Sequence, residues 1–448
     1  MTDINIAAVV LAAGHGKRMK SATPKVLHEI GGKAMIAHVI DAAKALTPAK
    51  IAVIIGDHAP EVGDFVQSMD PQIAVAVQAP PQGTAHAVEQ ALPALEGFDG
   101  AVLILNGDTP LVRQETLRAL AGEIKKGAAV AILGFRPDDP ALYGRLKLNQ
   151  AGALEAIVEA RDANEEELTI DLCNGGVMAI DAAFLHARLK DIDNNNAKNE
   201  YYLTDIVALA RADKRKCAML EVDPDEILGA DSRADLAEAE MIFQDRARDE
   251  ALEGGATLHD PSTVYFSHDT QIGEDVVIGP NVVFGPGVVI GDNVEIKAFS
   301  HLEGASVAAG ATVGPFARLR PGANLLEGAK VGNFVEIKNA DIGKGAKVSH
   351  LTYIGDAEIG AGANIGAGTI TCNYDGFSKH KTTIGAGAFI GSNSSLVAPL
   401  TIGAGAYVGS GSVITKDVDA DDLAVARGRQ KTLKGWAARF RKTNQGER

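Results

Sequence analysis

One tryptophan and three cysteines in 448 residues remove two classes of protein at once. Cys173, Cys217 and Cys372 stand far apart and form no CxxC pair, so neither a disulfide framework nor a thiolate zinc site is suggested. That usage fits a reducing cytoplasm. Long apolar runs are missing as well: none reaches the ~20 residues that span a bilayer, which excludes an integral membrane protein. The apolar stretch at residues 7–13 lacks a basic flank and runs into a charged loop, so it is expected to be a buried strand and not a signal peptide. Positive charge is in deficit, with a formal net charge of −15. A general nucleic-acid binder needs a basic surface, so that role is excluded, and any anionic ligand must be met by local basic groups.

Glycine is plentiful where aromatics are scarce, with 49 residues against one tryptophan, which favours tight backbone turns over bulky packing. The length implies two or three domains. In the first half, apolar runs at residues 6–11, 51–55, 73–77, 101–105 and 129–133 alternate with amphipathic stretches at 35–46 and 85–95. Strands alternating with helices predict a doubly wound, mostly parallel α/β sheet over residues 1–228. Residues 229–253 form the connection: from residue 232 they hold no proline or glycine, which predicts one long helix stopped at Gly254-Gly255.

The remainder, residues 254–448, has a different rhythm. Large apolar residues recur every six positions at Ile272, Ile278, Phe284, Ile290, Ile296 and Leu302, and again at Val313, Leu319, Leu325, Val331 and Ile337. A third run follows at Ile384, Ile390, Leu396, Ile402, Val408 and Ile414. This hexapeptide period predicts an all-β parallel β-helix, three hexapeptides to a coil, with roughly eight or nine coils at about 4.8 Å each. The polar segment 372–381 interrupts it and is expected to protrude as a loop near a site.

Two strings carry phosphate chemistry. Leu11-Ala12-Ala13-Gly14-His15-Gly16-Lys17-Arg18-Met19 follows the first strand, with Pro24-Lys25 beyond it. Glycines let the backbone approach phosphates, and Arg18 and Lys25 can neutralise a triphosphate. Met19 stands where a dinucleotide fingerprint needs its third glycine, so a nicotinamide oxidoreductase is disfavoured. Leu105-Asn106-Gly107-Asp108 places a carboxylate at a strand's C-terminal edge, where it suits Mg²⁺ shared with phosphate oxygens.

With these strings, and with Gln82-Gly83-Thr84-Ala85-His86, Tyr143-Gly144-Arg145 and Asn199-Glu200-Tyr201-Tyr202, the first half resembles sugar-1-phosphate nucleotidyltransferases. The whole chain is similar, end to end, to the bacterial bifunctional glucosamine-1-phosphate N-acetyltransferases/N-acetylglucosamine-1-phosphate uridylyltransferases. The resemblance implies that acetyl-CoA acetylates glucosamine-1-phosphate and that UTP then uridylylates N-acetylglucosamine-1-phosphate, feeding peptidoglycan and lipopolysaccharide synthesis. It assigns Leu11, Ala12, Ala13, Gly14 and Lys25 to the nucleotide, and Gln78, Gly83 and Thr84 to the uracil region. Gly144, Glu159 and Asn174 go to the amino sugar, and Asp108 to magnesium. The family's second metal ligand is an asparagine where this chain has Asp231, an oxygen donor with added charge.

The repeat half resembles the left-handed hexapeptide acyltransferases, which are trimers with acyl-CoA sites between prisms. Handedness and a homotrimer come from that resemblance alone. His350, in Ser349-His350-Leu351-Thr352-Tyr353, is the expected base, since acetyl transfer needs a neutral amine. By resemblance Arg320, Lys338, Tyr353 and Asn364 hold glucosamine-1-phosphate, while Ala367, Asn373, Tyr374, Ser392, Ser410 and Arg427 line the acetyl-CoA side. A basic tail beyond residue 423 suits the CoA phosphates. Two other readings compete: a nucleotidyltransferase with the β-helix as scaffold, and a non-enzymatic binding subunit. His350, Tyr353, Asn373 and Tyr374 argue against the first, and Gly14, Arg18, Lys25 and Asp108 against the second.

Overall fold

The apolar runs of the first half pair with one another, those of the second half likewise, and the chain divides into two units, Met1–Arg246 and Ala247–Arg448. A computed structural model describes residues 4–150 and 152–445.

In the first unit seven strands form the main sheet: β1 (Ile6–Ala12), β2 (Lys50–Gly56), β3 (Ala74–Gln78), β4 (Ala101–Asn106), β5 (Ala128–Phe135), β6 (Cys173–Asp181) and β7 (Lys216–Glu221). Their order is β7-β5-β6-β4-β1-β2-β3. Neighbours are parallel except at β6, which runs antiparallel to both β4 and β5. Alternate residues of β1 enter two separate cores, Ala8 and Val10 on one face and Ala7 and Val9 on the other. Helices Met35–Lys44 and Gln114–Lys125 cover the first face with Ile36, Val39, Ile40, Leu117 and Leu120. The amphipathic stretch after residue 84 forms a shorter helix than its pattern suggested, Thr84–Glu89, continuing as turns up to Pro93 and beyond. From β1 the chain steps outward to β2 and β3, then returns to β4 on the other side of β1. That reversal opens a crevice at the C-terminal ends of β1 and β4, the place where open α/β sheets bind ligands. An antiparallel pair, Arg145–Leu148 with Leu154–Val158, joins the start of β6 through Cys173 and Arg145.

The long helix Arg233–Glu253 begins one residue after the predicted start. Asp235 accepts from the backbone of Asp231 and Ser232, while the Ser232 hydroxyl accepts from the Asp235 N–H. These reciprocal bonds satisfy free amides of the first turn and fix the loop-to-helix entry.

The second unit is a solenoid of three parallel ladders. One ladder has ten rungs, from Thr257–Leu258 to Leu423–Ala424, because a rung lies beyond each end of the periodic series. Partners sit one coil apart, as Val277 with Glu295 and Thr312 with Lys330. Every repeat position named above is buried except Ile272, which is half-buried. One inward aliphatic residue per hexapeptide therefore builds a single continuous core.

The segment 372–381 leaves this core as a loop. Asp375 holds it in shape: one oxygen accepts from the N–H groups of Phe377 (2.8 Å) and Ser378 (2.7 Å), the other faces His380 Nε2 at 2.7 Å. These donors push the Asp375 carboxyl well below the usual carboxylate range, with the Ser378 amide the largest influence.

Candidate active sites

In the first unit, the crevice beside β1 and β4 is a cavity of about 550 Å³. Leu11 pairs with Asn106 across the two strands, and the Gly107 N–H donates to the Leu11 carbonyl at 2.9 Å. The glycine-rich loop and Asp108 are thereby placed side by side. Gly16 takes a left-handed φ of +56°, and a Cβ there would stand 2.7 Å from that of Lys25, so glycine lets the loop lie on the lysine. Lys25 starts the short turn Lys25–Leu27 and aims its ammonium back into the crevice.

That ammonium bonds directly to Asp108 and lies 2.8 Å from Asp231. Arg18, largely exposed, reaches the other oxygen of Asp231 at 2.7 Å. Asp231 arrives because the Ala230 N–H donates to the Asp108 carbonyl at 3.0 Å. Burial alone would lower the Lys25 pKa, but the two carboxylates outweigh it and raise the value above 10.5. Lys25 thus stays charged, and its ion pairs add stability below that ordinary value that is lost only as pH climbs through the raised one.

The side of the cavity expected to face uracil is built from two strings that dock on each other. Buried Gln78 donates to the Gly83 carbonyl at 2.9 Å. The Thr84 hydroxyl accepts from the Leu203 N–H at 2.9 Å, and Tyr201 exchanges backbone bonds with Gln82 and Ala85. At Gly83 (φ +111°) a Cβ would lie 2.5 Å from the Tyr201 carbonyl oxygen, so only glycine permits this approach.

On the side expected to face the sugar, the β6 ladder shifts between Asn174 and Met178, and Asn174 lines the cavity. Glu159 also lines it, 3.4 Å from the Thr204 hydroxyl. Burial raises the Glu159 carboxyl above 4.5, and Lys198 and Thr204 offset this only in part. Gly144 lies beside both, its carbonyl accepting from the Asn174 N–H at 2.8 Å. Of the residues expected here, Leu11, Ala12, Ala13, Gly14, Lys25, Gln78, Gly83, Thr84, Asp108, Glu159, Asn174 and Asp231 all line the one cavity. Gly144 supports the wall and Arg18 joins through Asp231. Sequence reasoning assigned no role to Asn106, Tyr143, Lys198 or Tyr202, which also line it. All four lie inside or beside strings already singled out, which was the available signal.

In the second unit the expected residues fall into two groups. Leu351 donates its N–H to the Asn333 carbonyl, Gly368 to His350, Asn393 to Ala367 and Gly411 to Ser392. These bonds stack Asn333, His350, Ala367, Ser392 and Ser410 in one column along a corner of the prism, one residue per coil. Arg427 closes the column by donating to the Ser410 carbonyl at 2.7 Å. Asn364 lies on the adjoining ladder, in register between Lys347 and Phe389.

Arg320 and Lys338 occupy another corner. Arg320 pairs with Glu336 at 2.7 Å, and Glu336 lies in register with Tyr353. Lys338 stands against Lys379 of the protruding loop, and this like charge lowers its pKa. Asn373 donates to Asp356, which also accepts from Asn339 at 2.7 Å. Tyr374 is exposed and donates to the Gly376 carbonyl. In register, the expected base stands at the corner before the strand of Tyr353, and Lys338, partner of Gly355, at the corner after it.

Comparison with known proteins agrees with both units. Residues 8–169 match the model of the MobA-like NTP transferase domain. Residues 269–304 and 381–416 match that of the bacterial transferase hexapeptide (six repeats), and the solenoid is a left-handed parallel β-helix. The chain is 60% identical over 437 residues to the bifunctional protein GlmU of Rhodospirillum rubrum, covering 97% of each chain. It is 55% identical over 443 residues to that of Paramagnetospirillum magneticum and 56% identical over 443 residues to that of Rhizorhabdus wittichii, with 98% of each chain covered in both cases. Among the described residues, no helix is long and apolar enough to cross a membrane.

Proposed function

The chain belongs to the bifunctional GlmU family, and from that premise we propose that it makes UDP-N-acetylglucosamine in two steps at two sites. Acetyl-CoA first acetylates glucosamine-1-phosphate, releasing CoA. UTP then uridylylates N-acetylglucosamine-1-phosphate, releasing pyrophosphate. The observation that carries this reading is the Asp108–Lys25–Asp231 cluster at the mouth of the first-unit cavity.

In uridylyl transfer the sugar phosphate oxygen attacks the α-phosphorus of UTP in line. The protein supplies position and countercharge and no covalent nucleophile. Asp108 and Asp231 converge as a pair of hard oxygen donors, the set that Mg²⁺ takes from a protein while keeping waters and phosphate oxygens. The bound cation would neutralise charge on the phosphates. Arg18 and Lys25 hold the triphosphate, Gln78, Gly83 and Thr84 the base, and Gly144, Glu159 and Asn174 the sugar.

In acetyl transfer the amine nitrogen attacks the thioester carbon while His350 accepts the amine's proton, and the C–S bond breaks to free CoA. Cofactor length suits the corner column. From His350 to Ser410 it rises three coils, about 14 Å at the usual strand spacing, and Ala367, Ser392 and Ser410 leave it unobstructed. The separation of His350 from Arg320 and Lys338 supports a homotrimer in which one prism's corner meets a neighbour's. The enzyme works in the cytoplasm, where its substrates are, and its product supplies cell-wall polymers.

The test is to incubate the purified chain with glucosamine-1-phosphate, acetyl-CoA, UTP and Mg²⁺, omitting each in turn. CoA release should need only the first two, and pyrophosphate release all four. Pyrophosphate formed at an equal rate without acetyl-CoA would overturn the order of steps.

Glu159 gives a pH signature. Because folding favours its neutral form, ionisation costs stability progressively as pH rises from its ordinary 4.5 to the raised value. A sugar hydroxyl donating to the carboxylate favours the charged form, so affinity for N-acetylglucosamine-1-phosphate should rise with pH across that window. Glu159→Gln should flatten the dependence and raise KM for the sugar phosphate ~10–100-fold, the worth of a hydrogen bond to a charged group. An unchanged KM would remove Glu159 from the sugar site.

A further inference from the structure

The corner column holds one polar neighbour of His350 that no role above uses. Asn333 and His350 are register partners in adjacent coils. Each precedes a residue in the left-handed region, Phe334 at φ +55° and Leu351 at φ +51°. The same backbone turn is thus repeated one coil up, and the two side chains stack. Asn333 Oδ1 lies 2.6 Å from His350 Nδ1.

We infer that Asn333 is a positioning residue for acetyl transfer: its side-chain carbonyl accepts the Nδ1–H of His350 and so leaves the Nε2 lone pair free to take the amine's proton. This rests on the reading of His350 as the base. A carbonyl acceptor on one ring nitrogen selects the neutral tautomer protonated there, and only the other nitrogen can then act as base. In the opposite arrangement, with Nε2 protonated, the ring would present a donor to an amine that must lose a proton.

The choice of an amide over a carboxylate has a chemical sense. A carboxylate would stabilise the imidazolium and raise the pH above which the ring is a free base. An amide orients the ring without storing charge. The charged side chains on the flanking strands are Lys330 and Lys347, in register with each other three residues before the pair. Glu336, three residues after Asn333, is occupied by Arg320 at 2.7 Å. Proton balance is simple: the N–C bond forms, the C–S bond breaks, the amine proton passes to Nε2, and the imidazolium returns it to the departing thiolate. The Nδ1–H stays on His350, hydrogen-bonded to Asn333 Oδ1, throughout.

The experiment measures kcat and KM for acetyl transfer against pH in the full chain and in Asn333→Leu, Asn333→Asp and His350→Ala. Uridylyl transfer in the same preparations reports folding of the remainder. Asn333→Leu should lose about 10–100-fold in kcat, below the ~10²–10⁴ of a general base, with KM for both substrates within about twofold. Asn333→Asp should move the acid limb of the profile upward by about one pH unit or more and recover rate above it. If both variants lose activity alike and the limb stays in place, Asn333 only shapes the corner and the inference falls. If His350→Ala keeps full acetyl transfer, it is the base assignment that fails.

Discussion

Replacing His350 by alanine should lower acetyl transfer by ~10²–10⁴-fold while uridylyl transfer stays within about twofold, because the base is lost and the other unit is untouched. At neutral pH glucosamine-1-phosphate carries its nitrogen mostly as ammonium, which has no lone pair for the thioester. His350 stands exposed on the prism corner, with Nδ1 committed to Asn333 and the small residues Ala367, Ser392 and Ser410 rising above it. In the variant the free amine must come from solution. The residual rate should therefore climb with pH beyond the wild-type plateau. Thiol release read from CoA, against pyrophosphate release in the same preparation, makes the comparison. Loss of both activities together would mean that the substitution acts through the fold, and loss of neither would leave acetyl transfer without a base.

Much of this arrangement could be read from residues alone, and the reasons differ by unit. In the β-helix one hexapeptide position points inward in each strand, so period and burial coincide, and Leu319 or Ile390 could be placed in the core without a structure. One ladder carries a rung beyond each end of the periodic series, Thr257–Leu258 and Leu423–Ala424, which that series alone does not mark. In the first unit the strands β1 to β5 were legible as apolar runs. β6 was not among those runs, because Asn174, Gly175 and Gly176 break its apolar pattern, and nothing in the residues marks its antiparallel direction. The pair Arg145–Leu148 and Leu154–Val158 has short mixed strands that give little period to detect.

The site residues were legible as strings, but their roles depend on distances that no string encodes. Nothing in Gly229-Ala230-Asp231 signals that its backbone binds the Asp108 carbonyl, or that one lysine would lie between two aspartates separated by more than a hundred residues. The His350 column is similar. Its members are spaced irregularly along the chain because the loop at 372–381 intervenes between Ala367 and Ser392, so spacing hides what stacking reveals.

Asp108→Ala should reverse the outcome for His350, lowering uridylyl transfer by ~10²–10⁴-fold, a loss of ~3–5 kcal/mol in transition-state stabilisation, and sparing acetyl transfer. The local electrostatics make a sharper statement possible. Lys25 bonds to both carboxylates and is mostly buried between them, so it holds the position where a divalent cation would share the same oxygens. A bound cation would compete with the ammonium for Asp108 and Asp231, and a bound triphosphate would offer Lys25 another partner. Removing Asp108 takes away a donor and leaves Lys25 to pair with Asp231, so Mg²⁺ should bind more weakly and the rate should fall at every concentration. Lys25→Met removes the competitor, leaving Asp108 without a cation and Asp231 with Arg18 alone, so Mg²⁺ should bind more tightly, while kcat still falls because the phosphates have lost a counter-ion. Titration calorimetry of Mg²⁺ on the two variants, beside pyrophosphate release against Mg²⁺ concentration, separates these effects. Opposite shifts in affinity with losses of rate in both follow from shared carboxylates. Equal weakening in the two variants would place the metal away from the lysine and leave Asp108 as its ion-pair partner only.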